Sequence, residues 1–292
     1  MLALDSIGNT PLHWAIEMAN IDAVHLLLEA GTDIHAAAKD TTTPLCEAVD
    51  SDFDSRGICL KLLEAGADVD QVICCDSTAL AEAVRRNRPI SKIKILLDAG
   101  ANLHGVHGDD PVLIIAASAS TSDACETLLS AGARIDARGS QGQTAVMEAV
   151  ENNNHSVLET LISHGERLDL WTYDDDSIVV IAALHGDIET MRILATACIK
   201  GIPVDVESRE AYWYAFDQRY HYCFPKSVAP ECVEMVAFQA LLDSITPAEY
   251  ATLEDEHYKG SDAIHIPGAF PIDPDKSDCD SGIPEARKWD DD

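Results

Sequence analysis

The feature that most constrains this chain is a pattern that recurs at an almost constant interval. Each copy has a marker residue, an apolar residue two positions later and a small residue five positions later. The seven markers lie 33, 35, 33, 33, 33 and 33 residues apart, at Thr10, Thr43, Thr78, Pro111, Thr144, Ser177 and Glu210. The small position is alanine every time, at Ala15, Ala48, Ala83, Ala116, Ala149, Ala182 and Ala215. Such a period is typical of units that bury their apolar faces against neighbouring copies.

Local signals predict two short helices in each copy. In the first copy, Thr10 suits the N-cap and Pro11 suits the first helical position, where a missing N–H leaves nothing unpaired. Glycine follows the second helix, where a left-handed C-cap residue belongs, at Gly31, Gly66, Gly100, Gly132 and Gly165. Neither helix is long enough to be stable alone. The pattern therefore predicts an all-α stack of helix–turn–helix units.

Three segments resemble the ankyrin-repeat family. They are Thr10-Pro11-Leu12-His13, Thr43-Pro44-Leu45 and the run Leu62-Leu63-Glu64-Ala65-Gly66-Ala67-Asp68. The resemblance covers about residues 5–243, although the histidine of the motif occurs only at His13. It implies an ankyrin-repeat solenoid with β-hairpin fingers between units, and it implies binding of protein partners rather than catalysis.

The spacing also predicts how the chain is divided. We expect residues 1–259 to form one array, with repeats beginning near residues 5, 38, 73, 106, 139, 172 and 205. Residues 247–259 are expected to form a capping helix. Residues 260–292 are rich in proline and aspartate, and we expect a disordered acidic tail because they cannot bury enough apolar surface to offset the entropy of ordering.

Composition narrows the classes of partner. The net charge is −31, which argues against nucleic acid and anionic membrane surfaces as partners. It favours a basic protein partner, or it serves solubility alone. The nine cysteines include no CxxC pair, which suits a reducing compartment. With neither a signal peptide nor a membrane span expected, we predict a cytoplasmic or nuclear location. No motif indicates a metal, a cofactor or a catalytic residue.

The resemblance also suggests where a partner binds. In the family's architecture, a concave groove is built from exposed positions of the first helices and from the finger tips. In this chain the exposed positions of the first helices are the fourth and seventh residues after each marker. We predict that a basic or amphipathic partner segment contacts Trp14, Glu17, Glu47, Asp50, Glu82, Arg85, Glu148, Glu151, Tyr173, Leu184 and Trp213. Ordinary solvent-facing positions are the alternative interpretation.

Two regions leave alternatives open. The first repeat has an apolar outer edge, which fits a truncated gene product, a missing upstream segment, or self-association through this edge. The aromatic cluster from Tyr212 to Phe224 fits the closing of the C-terminal end, a partner site or a ligand pocket. The main hypothesis is a non-catalytic interaction scaffold. The alternatives are a small-molecule binder or enzyme that uses the groove and this cluster, and a regulatory fragment of a larger protein.

Overall fold

The fold is a row of paired helices. The structure, a computed structural model, describes residues 5, 8–38, 42–72, 77–105, 110–119, 121–197, 199, 212, 215–216 and 233–245. The helices of this described part are α1 Pro11–Glu17, α2 Ile21–Glu29, α3 Pro44–Asp50, α4 Arg56–Glu64, α5 Ala79–Arg85, α6 Ile90–Asp98, α7 Val112–Ser118, α8 Ser122–Ser130, α9 Ala145–Glu151, α10 His155–Ser163, α11 Ile178–His185, α12 Ile188–Thr196 and α13 Val233–Ile245.

The markers of repeats one to six are the N-caps of the first helices, as the sequence predicts. The hydroxyls of four markers accept a hydrogen bond from the backbone N–H three residues later, and these markers are Thr10, Thr43, Thr78 and Ser177. At the other end of the unit, the closing glycines have positive φ, for example +95° at Gly66 and +94° at Gly132. Local capping therefore sets both ends of each unit.

The helices form two layers that run the length of the array. The first helices of successive repeats contact one another from α1 to α11, and the second helices do so from α2 to α12. Alanine at the recurring small position is fully buried in repeats two to six and lets the first helices approach closely. In the second layer, a column of leucines is fully buried, at Leu62, Leu96, Leu128, Leu161 and Leu194. The core is therefore continuous along the stack.

The two fingers that are described without gaps, between repeats four and five and between repeats five and six, are tight turns closed by one or two backbone hydrogen bonds. The amide of Gly139 donates to the carbonyl of Gln143 at 2.9 Å, and that of Thr172 donates to the carbonyl of Asp176 at 3.0 Å. One antiparallel bridge pairs Trp171 with Ser177, and no longer strand occurs in the described ranges. The expected hairpins are present in this reduced form because each finger spans only a few residues.

The last described helix packs on the second helix of repeat six. Helix α13 packs on α12, and the ring of Phe238 stacks on that of Phe216 with centroids 4.7 Å apart. The capping helix expected at residues 247–259 and the tail expected at 260–292 lie outside the described residues. Both stay predictions.

Candidate functional site

The residues predicted to bind a partner follow one line along the first helices. We call this line, made of the fourth and seventh residues after each marker, the first-helix stripe. Its exposed members are Trp14, Glu17, Arg85, Ser118 and Glu151. Its half-buried members are Glu47, Asp50, Glu82, Glu148 and Leu184, and its buried members are Ile115 and Ile181. Tyr173 lies beside the stripe on a finger and is 67% exposed, whereas Trp213 is outside the described residues.

At the N-terminal end of the array, Trp14 of the stripe belongs to an apolar surface. Trp14 is 41% exposed, and its indole N–H donates to the carboxylate of Asp5 at 3.0 Å. Its ring lines an open cavity of about 470 Å³ together with Met18 and Leu26, which are 65% and 64% exposed. This end of the array therefore presents an apolar surface, which we call the N-terminal face.

In repeats two and three, arginines neutralise two carboxylates of the stripe, Asp50 and Glu82. Arg86 contacts Glu82, with Nε 3.0 Å from Oε2, and it also pairs with Asp50. Arg88 approaches Asp50 from the next turn, with Nη2 2.7 Å from Oδ1. Arg85 adds a further pair with Glu82. Glu82 and Asp50 thus each face two guanidinium groups, so these two carboxylates present little net negative charge to a partner.

In repeat five, the carboxylates of the stripe are Glu148 and Glu151, and they differ from Asp50 and Glu82. The ion pairs among the described residues include neither Glu148 nor Glu151. Burial raises the pKa of Glu148 above its usual value, and the charges of Glu151 and Asp110 raise it further. Hydrogen bonds from Ser118 and Asn152 oppose this rise. A cation placed here would relieve the repulsion among these like charges.

The neighbouring fingers extend the same surface. Asp110 accepts from the amide of Ser140 at 2.7 Å, and so ties the fourth finger to the fifth. The amide of Tyr173 donates to the carbonyl of Gln141 at 3.0 Å. The Tyr173 ring then lies over Gly142, where an added Cβ would come within 2.7 Å of it. This packing holds an exposed aromatic ring on the same side of the array as the fingers that flank Glu148.

The finger that contains Tyr173 carries further negative charge, at Asp174, Asp175 and Asp176. Burial raises the pKa of Asp176, and the charges of Asp174 and Asp175 raise it further. The exposed Arg138 packs beside this finger, and its guanidinium donates to the carbonyls of Gly142 at 3.1 Å and Trp171 at 2.5 Å. We call Asp110, Glu148, Glu151, Tyr173, Asp174 and Asp175 the acidic section.

Sequence reasoning placed the stripe but missed the ion pairs that divide it. Asp50 and Arg86 are 36 residues apart, and Asp50 and Arg88 are 38 apart, close to one repeat interval. The sequence did carry a signal for these ion pairs, because residues of opposite charge about one repeat interval apart lie on adjacent units. The basic segment of repeat three therefore acts within the array, on the acids of repeat two.

The described part of the chain contains no group of three or more histidine, cysteine, aspartate or glutamate side chains that could hold a metal ion. Within the same ranges, no helix has the length and apolarity needed to cross a bilayer. The thiols of Cys46, Cys59 and Cys125 are buried and unbridged.

Comparisons with known proteins agree with this architecture. The glycerophosphocholine phosphodiesterase gde1 of Schizosaccharomyces pombe is 32% identical over 151 residues, which are 50% of this chain and 13% of that protein. The ankyrin repeat protein nuc-2 of Neurospora crassa is 28% identical over 197 residues, 66% of this chain and 18% of that protein. This chain thus spans less than a fifth of the length of either relative.

A solved structure and a family model cover more of the chain. The ankyrin repeat domain of Bcl-3 superposes with a TM-score of 0.59 at 26% identity, over 65% of this chain and 85% of that one. The family model for ankyrin repeats (3 copies) matches residues 2–73, 80–174 and 113–210, well over half of the sequence. Repeat spacing, helix pairing and these matches agree, and the chain belongs to the ankyrin-repeat family.

Proposed function

We propose that this chain is a non-catalytic interaction module whose acidic section binds a basic or amphipathic segment of a protein partner. Ankyrin repeats generally mediate protein–protein interaction. The activity in the name of the fission-yeast relative belongs to that protein, of which this chain matches 13%. Among the described residues, Cys59 and Cys125 are buried thiols without a disulfide, which supports a cytoplasmic or nuclear site of action.

The observation that carries the proposal is the contrast along the stripe. Glu82 and Asp50 are each paired with two arginines, whereas Glu148 and Glu151 share their surface with further acids. Uncompensated charge speeds the encounter with an oppositely charged partner and gives specificity. The exposed ring of Tyr173 adds an anchor of the kind that dominates binding energy at interfaces. A lysine- or arginine-bearing segment with an apolar residue fits both features.

Reversing the charge of Glu151 is expected to slow association with such a partner. Partners would first be captured from a lysate by the wild-type chain, and association rates would then be measured for Glu151→Lys. We expect a decrease of about tenfold at low ionic strength, which shrinks as salt is added.

Glu17→Lys is the matched control, because Glu17 is also exposed and occupies the same register in repeat one. It should leave the rate nearly unchanged. Equal rates for wild type and Glu151→Lys at low salt would refute the assignment to the acidic section. If Glu17→Lys lowered the association rate instead, the binding site would lie at the N-terminal end of the stripe.

We also propose that the N-terminal face binds a second copy of this chain. Ala23 and Leu27 are only half-buried there, whereas the equivalent residues of repeats two to six are covered by the preceding repeat. Together with Met18 and Leu26 they form a contiguous apolar surface of the kind that marks an interaction site. Two identical faces related by a twofold axis would cover each other.

Two glutamates in this face are expected to abolish self-association. Sedimentation at moderate salt, which screens the repulsion between two acidic chains, should detect a concentration-dependent dimer for the wild type. Met18→Glu with Leu26→Glu should remain monomeric. The control is Leu60→Glu, which is 47% exposed on α4 and should still dimerise. A wild-type chain that stays monomeric at every concentration would contradict this proposal.

A further inference from the structure

A buried acid occupies a position where the other repeats have small or neutral residues. Glu166 follows the closing glycine of repeat five, and the equivalent residues are Thr32, Ala67, Ala101 and Ala133. Only 6% of Glu166 is exposed. A carboxylate in such a place is unfavourable unless donors or cations surround it.

The contacts of Glu166 show what it does in the folded array. Its Oε1 accepts from the backbone amide of Val146, in the first turn of α9, at 3.1 Å. The ordinary cap of this helix is missing, because the Thr144 hydroxyl makes no capping bond. Glu166 therefore reaches across from its own loop and replaces the local N-cap of the helix that carries Glu148 and Glu151.

Two neighbouring polar atoms at this site lack a well-formed hydrogen bond. Oε2 of Glu166 and the hydroxyl oxygen of Thr144 are both buried, and neither has a hydrogen bond of good geometry. The Thr144 side chain nevertheless interacts with the carboxyl group of Glu166. One added proton on Oε2 would remove the buried charge and let Glu166 donate to the Thr144 hydroxyl, whereas in the ionised form that hydroxyl can donate to Oε2 only with the charge still buried.

The charged groups around Glu166 also favour its neutral form. Asp136, on the preceding finger, is negative, and the buried thiol of Cys125 on α8 contributes no positive charge. The adjacent Arg167 turns away and pairs with Asp169 at 3.0 Å. Burial raises the pKa of Glu166 to about 8, which outweighs the opposing effects of the Val146 amide and the Thr144 hydroxyl.

We propose that Glu166 is a proton-dependent latch, which holds α9 in place while protonated and destabilises repeat five when it ionises. Because α9 carries Glu148 and Glu151 of the acidic section, the latch links partner binding to pH. The unfolded chain releases this proton near pH 4.5 and the folded chain near pH 8. Stability is therefore greatest below the lower value and falls as pH rises through this window.

The test compares the wild type with Glu166→Gln, a neutral side chain of the same shape, by urea unfolding between pH 5 and pH 9. The folding equilibrium constant of the wild type should decrease about tenfold per pH unit relative to the variant, and the ratio should level off above pH 8. Glu148→Gln, which removes a less buried acid on α9, is the control and should show a much shallower change. Parallel curves for wild type and Glu166→Gln would overturn the proposal.

Two further measurements keep the test decisive if Glu166→Gln does not fold. Carbon-13 NMR of the wild type should show the Glu166 carboxyl titrating near pH 8, whereas a midpoint near 4.5 would overturn the latch. Hydrogen exchange of the α9 amides, corrected for intrinsic rates, should lose protection between pH 7 and pH 9 before α3 does. Equal loss in both helices would show that Glu166 does not act locally on α9.

Discussion

Replacing Leu128 with alanine is expected to lower the free energy of unfolding by about 3 kcal/mol. Leu128 is fully buried on α8, within the column of leucines that joins the second helices of adjacent repeats. Helix α8 contacts both α6 and α10, so a cavity at Leu128 weakens two interfaces at once. In a stacked array, stability depends on such nearest-neighbour interfaces, and the effect should therefore appear in the whole transition.

Urea unfolding followed by circular dichroism measures this effect. Leu60→Ala is the control, because Leu60 is 47% exposed on α4 and surface substitutions usually change stability by no more than about 0.5 kcal/mol. Similar unfolding midpoints for Leu128→Ala and the control would mean that the second-helix layer is not packed as described.

Replacing Lys92 with alanine is expected to destabilise the array by a similar amount, about 3 kcal/mol, for an electrostatic reason. Lys92 is 2% exposed, although it is charged. Its ammonium group donates to the carbonyls of Val49 at 3.0 Å and Ser51 at 2.5 Å, and to the Ser51 hydroxyl at 3.1 Å. It thus satisfies acceptors at the C-terminal end of α3, where a positive charge is favourable.

Burial opposes this arrangement, since it lowers the pKa of Lys92. Comparing Lys92→Met with Lys92→Ala separates the contribution of the charged group from that of side-chain packing. Lys92→Met keeps most of the side-chain volume but leaves the acceptors unpaired, so it should be destabilised nearly as much as Lys92→Ala. Lys94→Ala, an exposed lysine on the same helix, is the control and should behave like the wild type. A Lys92→Met variant as stable as the wild type would refute the bonding role.

The helices and their caps could be predicted because their causes are local. The hydroxyl of Thr78 caps the first helix of its repeat and Gly100 ends the second, and each acts within a few residues of its own position. The alanine and leucine columns follow from the same periodicity, since each must face the next unit. The stack of units could therefore be predicted without coordinates.

For the candidate site, the sequence predicted which positions of each repeat belong to it, but not which of their charges are paired. The pattern placed Glu82 and Glu148 at equivalent positions, yet the structure pairs Glu82 with two arginines and surrounds Glu148 with acids. The difference depends on long side chains that reach across a repeat boundary. Their direction is set by packing, which the periodicity does not describe.

The sequence by itself determined the unit, its length and the faces that each unit must bury, because these follow from helix geometry and capping. The tertiary structure alone decided which charges are neutralised and which polar groups are buried. Lys92 and Glu166 both replace small or apolar residues of their columns, and their roles depend on neighbours from other repeats. Burial strengthens such contacts because water no longer screens them, so single substitutions in a regular pattern give this array its individual chemistry.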